Sequence, residues 1–192
     1  MFNRRSSRVG FTLPEVLVTV AIVAILAAVV VPAVTNQISK GETGSVASAV
    51  TSYATGVTAF VTDVRRYPGA LSQLTNKIAT SEKDVTGRVY GNSEVAQWKG
   101  PYTSTVTFTA NDSIPIGLNA FAVDSLRDTT IGGRAFTSMY IATSDTAVAN
   151  KLDVLFDRGD GATNGSLRFT VGGASPNDTV VNRRVQYLLT PH

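Results

Sequence analysis

The chain of 192 residues has no cysteine, and its one histidine is the last residue, His192. Disulfide bonds and cysteine-based metal sites are therefore excluded. Sites built on imidazole, such as serine–histidine–aspartate triads or histidine metal centres, are disfavoured for the same reason. No other pairing of a nucleophile with a base is visible in the sequence. We therefore predict that the protein is not an enzyme.

Acidic residues are missing from the first ten residues, which contain Arg4, Arg5 and Arg8. The whole chain has 17 basic and 14 acidic residues, a net charge of +3. Because three of the basic residues belong to this leader, the rest of the chain is neutral overall. A basic leader is typical of a segment that directs membrane topology. The charge therefore gives no support to a nucleic-acid surface, and we predict no nucleic-acid partner.

Charged residues are also nearly missing from residues 11–34, where Glu15 is the only one. The segment is long enough to cross a bilayer as a helix, which takes about 20 residues. Because arginines precede it, the positive-inside rule predicts a cytoplasmic leader, with the remainder of the chain on the other side. A secretory signal peptide cleaved near Ala33 is the alternative, but its apolar core would span only about 7–15 residues. A carboxylate at membrane depth costs roughly 2.5–3.5 kcal/mol, so Glu15 needs a partner.

The sequence GFTLPE at residues 10–15 resembles the processing site of the type IV pilin and type II secretion pseudopilin superfamily. The resemblance implies cleavage between Gly10 and Phe11 and methylation of the new amine of Phe11. It also implies that Glu15 directs assembly by pairing with the amine of a neighbouring subunit. Pro32 lies where many members have a helix-kinking proline. The fold class implied is α+β: a long N-terminal α-helix, membrane-spanning and then amphipathic, packed on a small antiparallel β-sheet.

The same resemblance implies a function and a location. The chain would be a structural subunit of a type IV pilus-like filament or of a type II secretion pseudopilus. Its partners would be copies of itself, other pilins or pseudopilins, a prepilin peptidase and an inner-membrane assembly platform. It would cross the bacterial inner membrane once, with a periplasmic head, and then enter a periplasmic or extracellular filament. The alternative is a membrane-tethered or minor-pilin module for binding or adhesion.

A second segment, Trp-Lys-Gly-Pro-Tyr at residues 98–102, resembles the region that follows the long helix in major pseudopilins. The Asp-Pro-Trp-Gly element that follows it in that group is missing here. For Trp98 and Tyr102 themselves we predict aromatic packing around a loop.

The apolar pattern beyond residue 34 predicts an amphipathic helix. Apolar residues recur at steps of three and four, which places them on one helix face: Val46, Val50, Tyr53, Val57, Phe60 and Val64. We predict that this stripe packs on the head and that the helix ends just before Pro68. The predicted parts are a leader (1–10), a membrane and polymerisation helix (11–34), its amphipathic continuation (35–66) and an α+β head (67–192).

Strand patterns dominate the head. Strands are predicted at residues 106–108, 121–123, 135–143, 167–171 and 180–189. One helix is predicted from a cap at Ser144 to about Phe156. Its inner face is predicted to contain Val148, Leu152 and Leu155.

The loop DRGDGATNG at residues 157–165 has the composition of a cation site. The side-chain oxygens of Asp157, Asp160 and Asn164 are candidate Ca²⁺ ligands, and some pseudopilins carry a calcium loop. The spacing is not that of an EF-hand, and Asp153, carbonyls or waters would have to complete a shell of six to eight oxygens. The same residues form ordinary turns between a helix and a strand. We therefore predict a turn and no cofactor, with Ca²⁺ binding as the alternative.

Overall fold

The structure is a computed structural model. It describes residues 11–104, 113–118, 120–143, 146–169 and 183–191. The chain divides into two compact units, Met1–Lys40 and Gly41–His192.

The first helix, α1 (Leu13–Val64), is unbroken over 52 residues. The predicted stripe from Val46 to Val64 is confirmed, because its six side chains are all between 0% and 7% exposed. The helix ends where predicted, before Pro68. Arg65 adopts a positive φ of 61°, and its N–H donates to the carbonyl of Val61. A left-handed residue at this point is a common way to terminate a helix.

Six antiparallel strands form one sheet in the Gly41–His192 unit. They are β1 (Ser113–Pro115), β2 (Ala120–Val123), β3 (Arg127–Ile131), β4 (Arg134–Thr143), β5 (Leu167–Phe169) and β6 (Arg183–Pro191). The path through the sheet is β1-β2-β4-β6-β5, and β3 also pairs with β4. Together with α1, this sheet confirms the predicted α+β class.

The predicted strands at 121–123, 135–143 and 180–189 correspond to β2, β4 and β6. β5 covers the described part of the strand predicted at 167–171, and the strand predicted at 106–108 lies outside the described residues. β1 and β3 were not predicted. β3 joins β4 through Gly132 and Gly133, which both have positive φ, so the pair forms a two-residue hairpin turn.

Three shorter helices complete the described fold. They are a 3₁₀ helix (Leu71–Leu74), α2 (Asn92–Gln97) and α3 (Thr146–Asp157). α3 confirms the helix predicted up to about Phe156, and its predicted cap, Ser144, lies outside the described residues. The predicted inner face is partly wrong. Val148 and Leu152 are buried, whereas Leu155 is 59% exposed. The face of α3 that is buried instead includes Ala149 and Asp153, together with the half-buried Phe156.

Trp98 and Tyr102 pack edge to face, with ring centroids 5.6 Å apart, as the predicted aromatic packing requires. The Trp98 Nε1–H donates to the carbonyl of Gln73 at 2.9 Å. Tyr102 also packs against Phe60 of α1, at 5.6 Å between centroids. The loop between α1 and the sheet is therefore part of the same hydrophobic core as the α1 stripe.

Candidate functional site

The first site is the apolar start of α1, in the Met1–Lys40 unit. All fifteen large apolar side chains from Phe11 to Ile38 are exposed, by 48% to 81%. Among the described residues, α1 is the helix that is long and apolar enough to cross a membrane. Such a surface is unstable in water, because burying apolar area is worth roughly 25 cal/mol per Å². Lipid or other protein chains must therefore cover it.

Glu15 lies in the first turn of this helix. Pro14 precedes it in the same turn, where a missing N–H costs nothing because the first N–H groups of a helix have no partner in the helix. A carboxylate in this turn is favoured by the partial positive charge of the helix N-terminus. Glu15 is exposed and has no ion-pair partner among the described residues. Its charge is therefore available to a group outside this part of the chain.

Pro32 lies inside α1, and the helix continues through it. Proline provides no N–H for the bond to the carbonyl one turn earlier, so the helix is weakened locally. Three residues later, the Thr35 hydroxyl donates to the carbonyl of Val31 at 2.9 Å. The predicted kink site is thus a point of reduced backbone bonding in an otherwise continuous helix. Gly10 lies outside the described residues.

A second group of polar residues lies where α3 ends. One carboxylate oxygen from each of Asp153, Asp157 and Asp160 lies within 4.8 Å of the oxygens of the other two. Asp153 is buried, Asp157 is half-buried and Asp160 is exposed. Desolvation and the negative charges of Asp157 and Asp153 raise the pKa of Asp160 above its ordinary value. We call these three residues the Asp cluster.

Two of the loop residues predicted as candidate ligands, Asp157 and Asp160, thus lie together. Asn164 donates its side-chain amide hydrogen to the carbonyl of Asp160 at 3.0 Å, so it also holds the turn. The sequence suggests Asp153 only as a residue that could complete a calcium shell. It lies one helical turn before Asp157, and this spacing on α3 is the signal that would have found it.

A third polar group, around Asp84, has a structural role. Asp84 forms an ion pair with Arg66, and its other oxygen accepts hydrogen bonds from Thr86 and from the backbone N–H of Arg88. Burial pushes the pKa of Asp84 up, but the hydrogen bonds from Thr86 and Arg88 and the charge of Arg66 outweigh it and hold the pKa below its usual value. The charged form of Asp84 is thus the form that the fold stabilises.

Comparison with known proteins bears on the first of these sites. Residues 6–31 match the family described as the prokaryotic N-terminal methylation motif. This motif is the signal of type IV pilins and pseudopilins, and the match covers the second half of the leader, the GFTLPE segment and most of the apolar run. The chain therefore carries, near its N-terminus, the signal that marks type IV pilin-like and pseudopilin precursors. Neither the curated proteins nor the solved structures gave a match to the chain.

Proposed function

We propose that the protein is a structural, non-enzymatic subunit of a type IV pilus-like filament or a type II secretion pseudopilus. A prepilin peptidase would remove the leader after Gly10, and the new amine of Phe11 would be methylated. The subunit would wait in the inner membrane and then polymerise through its N-terminal helix on an assembly platform. The observation that carries the proposal is the exposed apolar start of α1, with Glu15 as its only charge.

The exposed surface supports polymerisation as well as membrane insertion. While the helix lies in the bilayer, lipid covers its apolar side chains at no cost in hydrophobic energy. When a subunit leaves the bilayer for a filament, its apolar segment loses its lipid contacts. Protein contacts must replace them, because the whole segment would otherwise be exposed to water, which is unfavourable. The N-terminal helices of other subunits provide the matching apolar surface. If these helices form the centre of the filament, the apolar segment stays out of water after the subunit leaves the bilayer, as it does before.

Glu15 gives this packing a register. Cleavage creates a cationic amine at Phe11, since an α-amino group titrates near pH 7.7–8.0. In an apolar environment both this amine and Glu15 are costly when unpaired. Pairing Glu15 of an incoming subunit with the amine of its neighbour fixes their relative position along the filament. A polar pair that is costly when broken is a known means of fixing helix register.

The proposal is tested with Glu15→Leu in a bacterium that makes filaments from the wild-type chain. We expect Glu15→Leu to insert normally, because leucine is favoured in the bilayer, and to lose most of its filament yield. Glu15→Gln keeps the size and polarity but removes the charge, so it should fail in the same way. Thr19→Val is the control, since the Thr19 hydroxyl donates to the carbonyl of Val16 in its own helix and has no other partner in the part of the chain that the structure describes. Membrane fractionation and sheared filaments measure the two steps.

Normal filament yield from both Glu15 variants would overturn the register role of Glu15. A wild-type chain that stays in the membrane fraction while the assembly machinery is active would instead favour a membrane-tethered binding or adhesion module.

A further inference from the structure

The Asp cluster gathers three negative charges, and the positive charge of Arg168 offsets that of Asp160 only in part. Asp153 and Asp157 lie one turn apart on α3, and therefore on the same face of the helix. Asp160 follows in the loop before β5. Among the described residues, none of the three carboxylates forms an ion pair. Like charges this close repel each other, so the arrangement is costly unless a cation joins it.

Asp153 gives the independent sign of a missing ligand. Its side chain is almost fully buried, with 5% of the residue exposed. One oxygen, Oδ2, accepts a hydrogen bond from the backbone N–H of Gly161 at 3.2 Å. The other, Oδ1, is buried and has no hydrogen-bond partner. A buried charged oxygen without a partner is destabilising by more than an ordinary unmade hydrogen bond.

We propose that the Asp cluster binds Ca²⁺ at the junction of α3 and the loop before β5. Ca²⁺ takes oxygen ligands at about 2.3–2.6 Å, so two ligands on opposite sides of the ion lie roughly 4.6–5.2 Å apart. The mutual distances within the cluster, all under 4.8 Å, fit ligands around one such ion. A site of carboxylates alone selects a hard cation. Mg²⁺ prefers fewer protein ligands and a stricter octahedral geometry, so the clustered carboxylates favour Ca²⁺.

Gly165 allows the carboxylates to converge. Its φ is +67°, and a Cβ placed on it would lie 2.6 Å from Asp157 Oδ2 and 2.8 Å from Asp160 Oδ2. Both distances are too short for a side chain, so glycine at 165 lets the backbone pass beside the two acids. The loop thus brings its backbone against two of the three acids of the cluster. Nearby carbonyl groups and waters can then complete the shell of six to eight oxygens.

The alternative role of the three acids is to hold the loop. Asp157 Oδ2 accepts the N–H of Leu167 at 2.6 Å, which ties the end of α3 to the start of β5. This hydrogen bond and the one from Gly161 to Asp153 explain two oxygens of the cluster. These hydrogen bonds do not explain why Asp153 Oδ1 has no partner. They also do not explain why Asp160 lies beside the other two acids, or how the repulsion among the three is offset. A bound cation explains all three observations.

The test uses the full-length protein in detergent, stripped of metal with EDTA. Its melting temperature is followed by near-UV circular dichroism, with CaCl₂ or MgCl₂ added, and calcium binding is measured directly by titration calorimetry. We expect saturable Ca²⁺ binding and a rise in melting temperature of about 5–10 °C at a calcium concentration a hundredfold above Kd. Asp160→Asn should weaken calcium binding by about tenfold or more, because ligand charge sets affinity in such sites.

Asp160→Asn is the main variant because Asp160 is exposed, so the fold does not depend on its burial. Asp153→Asn removes the buried charge and should also lose the calcium response. Asp128→Asn, which removes one exposed acid of β3, is the matched control and should bind calcium as the wild type does.

No binding heat and no melting shift in the wild type up to about 10 mM calcium, above the weak range of extracellular sites, would overturn the proposal. An undiminished response in Asp160→Asn and Asp153→Asn, or an equal response to magnesium, would overturn it as well.

Discussion

The carboxylate of Glu42 on α1 accepts a hydrogen bond from the backbone N–H of Leu118, with 2.7 Å between Oε2 and the nitrogen. Glu42 is 6% exposed, an unusual degree of burial for a charged residue. Gly117 lies directly against it, since a Cβ there would be 2.5 Å from Oε1. A helix residue far away in sequence thus holds the connection between β1 and β2. We therefore expect Glu42 to be important for the stability of the head.

Glu42→Ala should destabilise the head by about 1–3 kcal/mol, because it removes the buried carboxylate that accepts the N–H of Leu118. The thermal melting temperature of the full-length protein in detergent measures this change. Lys40→Ala is the control, since Lys40 is an exposed charged residue two positions away. Equal melting temperatures for the two variants would show that the contact to Leu118 adds nothing.

Glu42 also shows where sequence reasoning stops. The α1 stripe could be predicted because a helix buries every third or fourth residue, and this period is visible without any knowledge of the partner surface. The burial of Glu42 depends on a segment 76 residues later in the chain, which no local pattern reveals. β3 was missed for a different reason, because RDTTI has charged and polar residues where a strand pattern expects apolar ones. Its signal was instead the following Gly132–Gly133 turn.

The Asp cluster was only half visible in the sequence. The predicted inner face of α3 placed Leu155 inside, and the observed face lies further round the helix, which buries Asp153. A short amphipathic helix leaves this rotation uncertain, because neighbouring apolar residues fit more than one choice of face. The candidate site at the N-terminus was far more predictable. Its residues are contiguous in the chain, so their spacing is known before any folding.

Phe60 should be among the most sensitive positions of the core. It is fully buried and packs edge to face with Tyr90 and Tyr102, at 6.3 Å and 5.6 Å between centroids. Phe60→Ala should cost about 3–5 kcal/mol, since it removes a large buried side chain and leaves a cavity. Thr58→Ala on the exposed face of α1 should change stability by no more than about 0.5 kcal/mol. Chemical denaturation followed by near-UV circular dichroism compares the two, and a cost under 1 kcal/mol for Phe60→Ala would contradict this account of the core.

The Asp84–Arg66 pair should make stability depend on pH in a defined direction. The pKa of Asp84 is lower in the folded protein than its unfolded value of about 3.9, so the folded state favours the charged form. Its contribution is therefore complete above about pH 5, one unit above the unfolded pKa, and is lost as the pH falls through the folded pKa. At pH 7, Asp84→Asn should cost about 1.5–3 kcal/mol, the range for hydrogen bonds to a charged group.

Melting temperatures of the wild type and Asp84→Asn between about pH 7 and pH 2 test this expectation. The gap between the two proteins should be constant down to about pH 5 and should then narrow, as Asp84 of the wild type becomes protonated first in the unfolded and then in the folded state. A gap that stays constant over the whole range would mean that the charge of Asp84 has no part in the stability of this loop.

Processing at the N-terminus is the prediction on which the proposed assembly depends. We predict that the protein isolated from a bacterium with a prepilin peptidase begins at Phe11 and has a methylated amine. A single methyl group leaves the amine able to carry its positive charge, as lysine methylation does, so the partner of Glu15 is preserved. Intact mass and N-terminal sequencing measure both changes.

Gly10→Val places a branched side chain at the cleavage site and should leave the uncut precursor in the membrane, whereas Ser7→Ala in the leader should be processed normally. A mature chain that begins at Val34 would identify an ordinary signal peptide. Because that product would lack Glu15 and most of the apolar run, it would also exclude assembly through this helix.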